Sequence, residues 1–168
     1  EPLAESDGPK AELAAYKLGY MAWDQGDMDS AIGLFQQYME RYPAGKYSDT
    51  ALWFTGTAQL RLGELRAANR TFKKLEVSHP LSSLRPGAVY WQAMTTTSHE
   101  QQALLHKIRK LWPKTGYAWF ASQALKTPYP AKTGNWEAHA EIDLEGADWV
   151  IGTALSSGGL TAWARPHL

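Results

Sequence analysis

Cysteine is absent from the 168 residues. That excludes a disulfide framework, a thiolate zinc site and a cysteine nucleophile. No apolar run approaches the roughly 20 residues of a membrane-spanning helix, and the first ten residues lack the basic-then-apolar pattern of a signal peptide. Net charge is lacking as well: 17 basic and 17 acidic side chains leave a formal charge of 0. A general polyanion binder is therefore excluded, and no nucleic-acid recognition motif accompanies the charge. There is no Gly-rich phosphate loop, no Gly-x-Ser-x-Gly elbow and no His-Glu-x-x-His pair, so neither a catalytic residue nor a cofactor is expected. What the chain does hold is aromatic side chains, eight Trp, eight Tyr and four Phe. Its length suffices to bury a core of one ordinary domain.

A repeat organises the chain. Gly19, Gly26, Ala31, Phe35 and Pro43 recur as Gly56, Gly63, Ala68, Phe72 and Pro80, each 37 positions on. Leu13, Tyr16, Leu18 and Tyr20 lie at helical spacing on a first helix over 11–25. Gly26 breaks it, because glycine takes the left-handed turn cheaply. Asp27 or Asp29 caps a second helix over 29–42, with Ala31, Leu34, Phe35 and Tyr38 as its packing stripe. Pro43 stops it. The next unit repeats this with helices over 48–62 and 66–78. The pattern resembles the tetratricopeptide repeat, with a few residues added to its usual period of about 34.

Two looser units follow. Pro86 opens a helix through Tyr90, Trp91 and Met94. Its partner spans 99–111, with Ala103, Leu104, Ile108 and Leu111 inward, Ser98 as N-cap and Pro113 at the exit. A helix over 115–125 precedes a Pro- and Gly-containing loop from Thr127 to Trp136. A further helix runs from near Glu137 to about 156, and Gly159, Ala164 and Leu168 repeat the spacing of the earlier second helices. The fold expected is all-α: antiparallel helix pairs stacked into a right-handed superhelix, an α-solenoid. Its units span 11–43, 48–80, 84–113 and 115–168, the last truncated, behind a flexible polar leader over 1–10.

A narrower resemblance adds to this. Pro80, Leu81, Ser82, Ser83, Arg85, Ala88, Tyr90, Trp91 and Ala93 resemble a segment in the helical domain of bacterial soluble lytic transglycosylases. Residues 112–121, with Pro113, Gly116, Tyr117, Trp119 and Phe120, are similar to a later segment. Ala154, Leu155, Ala164 and Leu168 are similar to its closing helix pair. The resemblance implies a non-catalytic helical domain in the bacterial periplasm or cell envelope, followed in the parent chain by a lysozyme-like domain that cleaves peptidoglycan glycans. That family's catalytic Glu precedes Ser, and a Gly-Leu-Met-Gln stretch comes later. Here the Glu-Ser pair is Glu5-Ser6 and Gly-Leu-Met-Gln is missing, so no catalytic role carries over. The implied function is to position glycan strands or partner proteins. The alternative is a tetratricopeptide scaffold that binds a protein or peptide segment, unrelated to cell-wall cleavage.

Three sets of residues are candidates for sites. The tetratricopeptide register turns Tyr16, Tyr20, Trp23 and Trp53 toward the groove, where flat rings suit sugars or peptide side chains; core packing between repeats is the competing reading. Trp91, Trp112 and Trp119 are assigned to packing. A basic band runs over Arg66, Arg70, Lys73 and Lys74, and one unit later over Lys107, Arg109, Lys110 and Lys114. It reads either as a solvated face or as contacts to an acidic partner. Segment charges sharpen this: residues 1–60 carry net −5, 61–114 net +7 and 115–168 net −2. Last, Glu137, His139, Glu141 and Asp143 form the densest polar cluster, read as a solvated acidic face, with a divalent cation as the alternative. Glu141 and Glu145 share a helix face but do not oppose each other across a cleft as a catalytic pair would. No metal site is expected.

Overall fold

The computed structural model describes residues 8–128. These form α1 (Pro9–Asp24), α2 (Met28–Arg41), α3 (Ser48–Arg61), α4 (Leu65–Ser78), α5 (Arg85–Met94), α6 (Ser98–Leu111) and α7 (Gly116–Ala124), with no strand among the described residues. Every helix boundary falls within one or two residues of the expected one. The chain divides into two compact units between Ala88 and Val89, inside α5. The acidic cluster at 137–145, the helix expected over 137–156, Glu5-Ser6 and the closing residues 154–168 lie outside the described residues.

The first unit is a segment of α-solenoid. Three-residue turns join α1 to α2 and α3 to α4, which forces antiparallel pairs. Each turn closes in the same way. Gly26 and Gly63 take φ of +84° and +76°. The next N–H then reaches back to the helix: Asp27 to the Ala22 carbonyl (2.9 Å) and Glu64 to the Gln59 carbonyl (2.8 Å). This is the Schellman closure that glycine permits. Asp27, not Asp29, caps α2, accepting from the Ser30 N–H at 3.1 Å. The Ser30 side chain and then its backbone N–H hold the Asp27 carboxyl below its ordinary value. Pro9 opens α1 from its first turn, so the helix begins inside the stretch expected as leader.

Within each pair a glycine lies under a phenylalanine. A Cβ added at Gly19 would sit 2.7 Å from the Phe35 ring, and one at Gly56 2.7 Å from the Phe72 ring. Both rings are fully buried, as are Ala31 and Ala68. Burying each ring stabilises the fold by about 2–3 kcal/mol. α2 packs in turn against α3, so the second pair stacks on the first. Leu18, placed at helical spacing with Leu13, Tyr16 and Tyr20, is 55% exposed. It lies about 100° around α1 from Gly19, and the helix turns Gly19, Ala22 and Trp23 inward instead.

The second unit holds the rest of α5 with α6 and α7. Ring contacts of Tyr90 with Tyr117 (5.7 Å) and Phe120 (5.8 Å) join α5 to α7. α6 packs on α7, and Leu105 and Ile108 are its buried residues. Of the expected stripe, Ile108 is buried, Leu104 half-buried, and Ala103 and Leu111 exposed. The true stripe lies one residue further round, through Leu105. Thr97, not Ser98, is the N-cap of α6; Ser98 is already helical. The C-terminus of α7 repeats the Schellman closure, with Thr127 N–H on the Ser122 carbonyl (3.0 Å). There Lys126 takes the left-handed place, at φ +52°.

Candidate binding surface

The aromatic candidates divide between packing and surface. Trp23 is 4% exposed and Trp53 2%, so neither presents a ring face to a ligand, contrary to the groove register. Trp23 Nε1 donates to Thr57 Oγ1 at 3.1 Å, its ring meets Phe54 at 4.8 Å, and the Arg61 guanidinium lies over it at 5.8 Å. It ties α1 to α3. Trp53 meets Phe72 in a T-shaped contact at 5.5 Å. Tyr16 is half-buried and stacks on Tyr47 at 4.7 Å; burial first, then nearby Tyr20 and Asp49, push its hydroxyl to about 12. Tyr20 stays accessible at 39%, its ring against Phe54 at 5.2 Å. Of the tryptophans assigned to packing, Trp91 is buried and Trp112 half-buried, but Trp119 is 44% exposed.

Between repeats lies a joint that residue-by-residue identity at the 37-residue offset does not reveal. In the first repeat the Glu12 carboxylate on α1 accepts from the Tyr38 hydroxyl (2.8 Å) and from the Lys46 N–H, and Tyr47 N–H donates to the Tyr38 oxygen (3.0 Å). The linker from α2 to α3 is thereby pinned to α1. Burial, then the bond to Glu12, raises the Tyr38 hydroxyl to about 12. Gly45 is required there, since a Cβ would strike the Tyr38 hydroxyl and the Glu12 carboxylate. In the second repeat Asp49 stands at the Glu12 position, Leu75 at that of Tyr38 and Ser82 at that of Gly45. Leu75 has no hydroxyl, so Ser82 supplies one: its Oγ donates to Asp49 Oδ2 at 2.7 Å. Comparing like residues at the same offset, not identical ones, would have found the pair. Arg85 completes this joint, Nη1 donating to the Pro80 carbonyl at 2.7 Å.

The basic candidates fall in separate units. Arg66, Arg70, Lys73 and Lys74 are all exposed on α4, and none is paired with a described residue. On α6 Lys110 is exposed, Lys107 half-buried, and Arg109 Nη2 donates to the Pro128 carbonyl at 2.9 Å. His99 and His106 are exposed on α6. No group of His, Asp and Glu able to hold a metal ion occurs among the described residues, and none of their helices is long and apolar enough to cross a membrane.

One further surface was not foreseen. Ala14, Leu18 and Met21 form an exposed stripe on α1, with Leu18 at 55% and Met21 at 53%. Their counterparts on α3, Ala51, Thr55 and Ala58, are 0%, 3% and 0% exposed. α3 has α2 before it and α4 after it, whereas no described helix precedes α1.

These features define a class: a helical-repeat domain built of tetratricopeptide-like helix pairs. A family model described as tetratricopeptide repeat matches residues 13–44, from α1 to the start of the linker after α2. No curated protein matches the chain.

Proposed function

We propose that this chain is a scaffold that binds a segment of another protein. The observation that carries this is the α1 stripe. The repeat itself shows how such a face is satisfied, because on α3 the same register positions are covered by packed helix. A helical segment with an apolar face fits there, and burying Leu18 and Met21 would contribute about 1.5–3 kcal/mol each.

The test is selection of peptides against the purified chain from a displayed library, followed by fluorescence anisotropy of the best binder. Leu18→Asp with Met21→Asp should weaken binding about tenfold or more, with helicity unchanged by circular dichroism. Binding indifferent to that pair, or failure to select any peptide, overturns the reading.

A second reading places the chain in a bacterial cell envelope as the non-catalytic helical domain of a peptidoglycan lytic transglycosylase, and rests on the resemblance of residues 80–93. Ser82 and Arg85, two polar residues of that segment, are engaged in the joint between repeats, so folding alone accounts for their presence. Co-sedimentation with purified peptidoglycan, lost on Tyr20→Ala, would favour this reading over the first.

A further inference from the structure

The outer face of α4 differs from that of its counterpart α2 in a way that the fold does not require. Arg66, Arg70, Lys73, Lys74 and Val77 fall on the side opposite the buried Ala68, Phe72 and Leu75, and all five are exposed. At helical spacing they form one surface about three turns long. The same register positions on α2 hold Asp29, Gly33, Gln36, Gln37 and Glu40. Both helices make the same internal contacts, with Ala31 and Phe35 matching Ala68 and Phe72. The first repeat therefore serves as an internal control: its outer face is solvated and acidic and the helix pair still forms. Four like charges along one helix face repel one another and lower helix stability by a few tenths of a kcal/mol per pair. No described residue neutralises them. Val77, 70% exposed where α2 has Glu40, and Leu81, 98% exposed just beyond the helix, set apolar side chains at the C-terminal end of the cations.

We propose that the outer face of α4 docks an acidic protein segment carrying an apolar residue, its carboxylates meeting Arg66, Arg70, Lys73 and Lys74 and its apolar side chain meeting Val77. The proposal rests on the scaffold reading and names the chemistry of one partner. A protein segment is favoured over a membrane or nucleic acid for two reasons. The cations lie in a single row with apolar side chains at its C-terminal end, and the compact unit that holds them, residues 1–88, carries 10 basic against 11 acidic side chains, so it lacks the wider positive field that lipid headgroups or a phosphate backbone require.

The test uses a fluorescein-labelled peptide of about 16 residues in which Glu predominates with Leu at every fourth position, and its Gln-for-Glu counterpart. The acidic peptide should bind and the neutral one should not, with affinity falling steeply between about 50 and 500 mM salt. Arg70→Glu with Lys73→Glu should weaken binding about tenfold or more, and Val77→Asp should weaken it further. Lys10→Glu with Lys17→Glu, which changes the charge by the same amount elsewhere on the surface, should change little. Equal loss from the Lys10 and Lys17 pair, or no binding of the acidic peptide, overturns the proposal. So does tighter binding of phosphatidylserine vesicles or of single-stranded oligonucleotide. The α1 variant separates this from the broader reading: if the acidic peptide fails while the selected peptide still binds through Leu18 and Met21, only the α4 assignment falls.

Discussion

Gly56→Ala puts the packing of the repeats to a direct test. The new Cβ would lie 2.7 Å from two atoms of the Phe72 ring and 3.1 Å from a third. Carbon–carbon contact wants about 3.5 Å, so the ring must retreat by about 0.8 Å. It has little room, being fully buried itself and set against Trp53, buried in turn. Two effects oppose. Alanine favours the helix by about 1 kcal/mol over glycine, while overpacking a closed core costs about 1–3 kcal/mol. With the ring enclosed on both sides the upper figure applies, which leaves a net loss of about 2 kcal/mol. For a chain of this size that lowers Tm by about 4–8 °C. Gly33→Ala is the control: Gly33 is also helical, but its added Cβ meets nothing within 4 Å. It should raise stability by about 0.5–1 kcal/mol. Thermal and urea melts followed by circular dichroism compare the two, and Phe72→Leu in the Gly56→Ala background should recover part of the loss. If Gly56→Ala stabilises as Gly33→Ala does, the glycine is not a packing requirement and the account of the helix pair is wrong.

Three other outcomes are expected. The hydroxyls of Tyr16, Tyr38 and Tyr90 are each pushed up to about 12, chiefly by burial. In the unfolded chain they lose their protons near pH 10. The folded state therefore holds more protons between about pH 10 and 12, and stability present below pH 10 falls as pH rises through that window; urea midpoints flat across it would contradict this. Asp49→Ala leaves the Ser82 hydroxyl without its acceptor and should cost about 1–2 kcal/mol, with a coupling of about 1 kcal/mol in a double-mutant cycle with Ser82→Ala; additive losses would remove the joint from the account. Lys126→Gly relieves a left-handed backbone that a side chain disfavours by about 1 kcal/mol, so Tm should rise, while Gly63→Ala, at the equivalent turn, should lower it.

Helix positions were legible in the sequence because their causes are local. Glycine at the left-handed turn, proline after the second helix and apolar spacing near 3.6 act within a few residues of each boundary. The repeat offset added the pairing of glycine with aromatic, since Gly19 with Phe35 and Gly56 with Phe72 each recur as a set. The all-α class and the helix pairs follow from these alone.

What only the tertiary structure decided is which side of each helix meets a neighbour. Leu18 and Thr55 occupy the same register, yet one is exposed and the other buried, because coverage depends on which helices flank the position and not on the residue. Trp23 and Trp53 fit both a groove register and a packing role by spacing, and the contacts with Thr57, Phe54 and Phe72 place them in the core. Leu105 took the place in the α6 stripe expected for Ala103 and Leu111, because Leu104, Leu105 and Ile108 offer two neighbouring apolar faces and only packing chose between them. The joints at Glu12 and Asp49 joined residues 26 and 33 positions apart, and the hydroxyl donor moved from a tyrosine on the second helix in one repeat to a serine in the linker in the next. Local preference determines that a helix forms and where it ends; the long-range packing of whole faces determines what that helix buries and what it leaves for a partner.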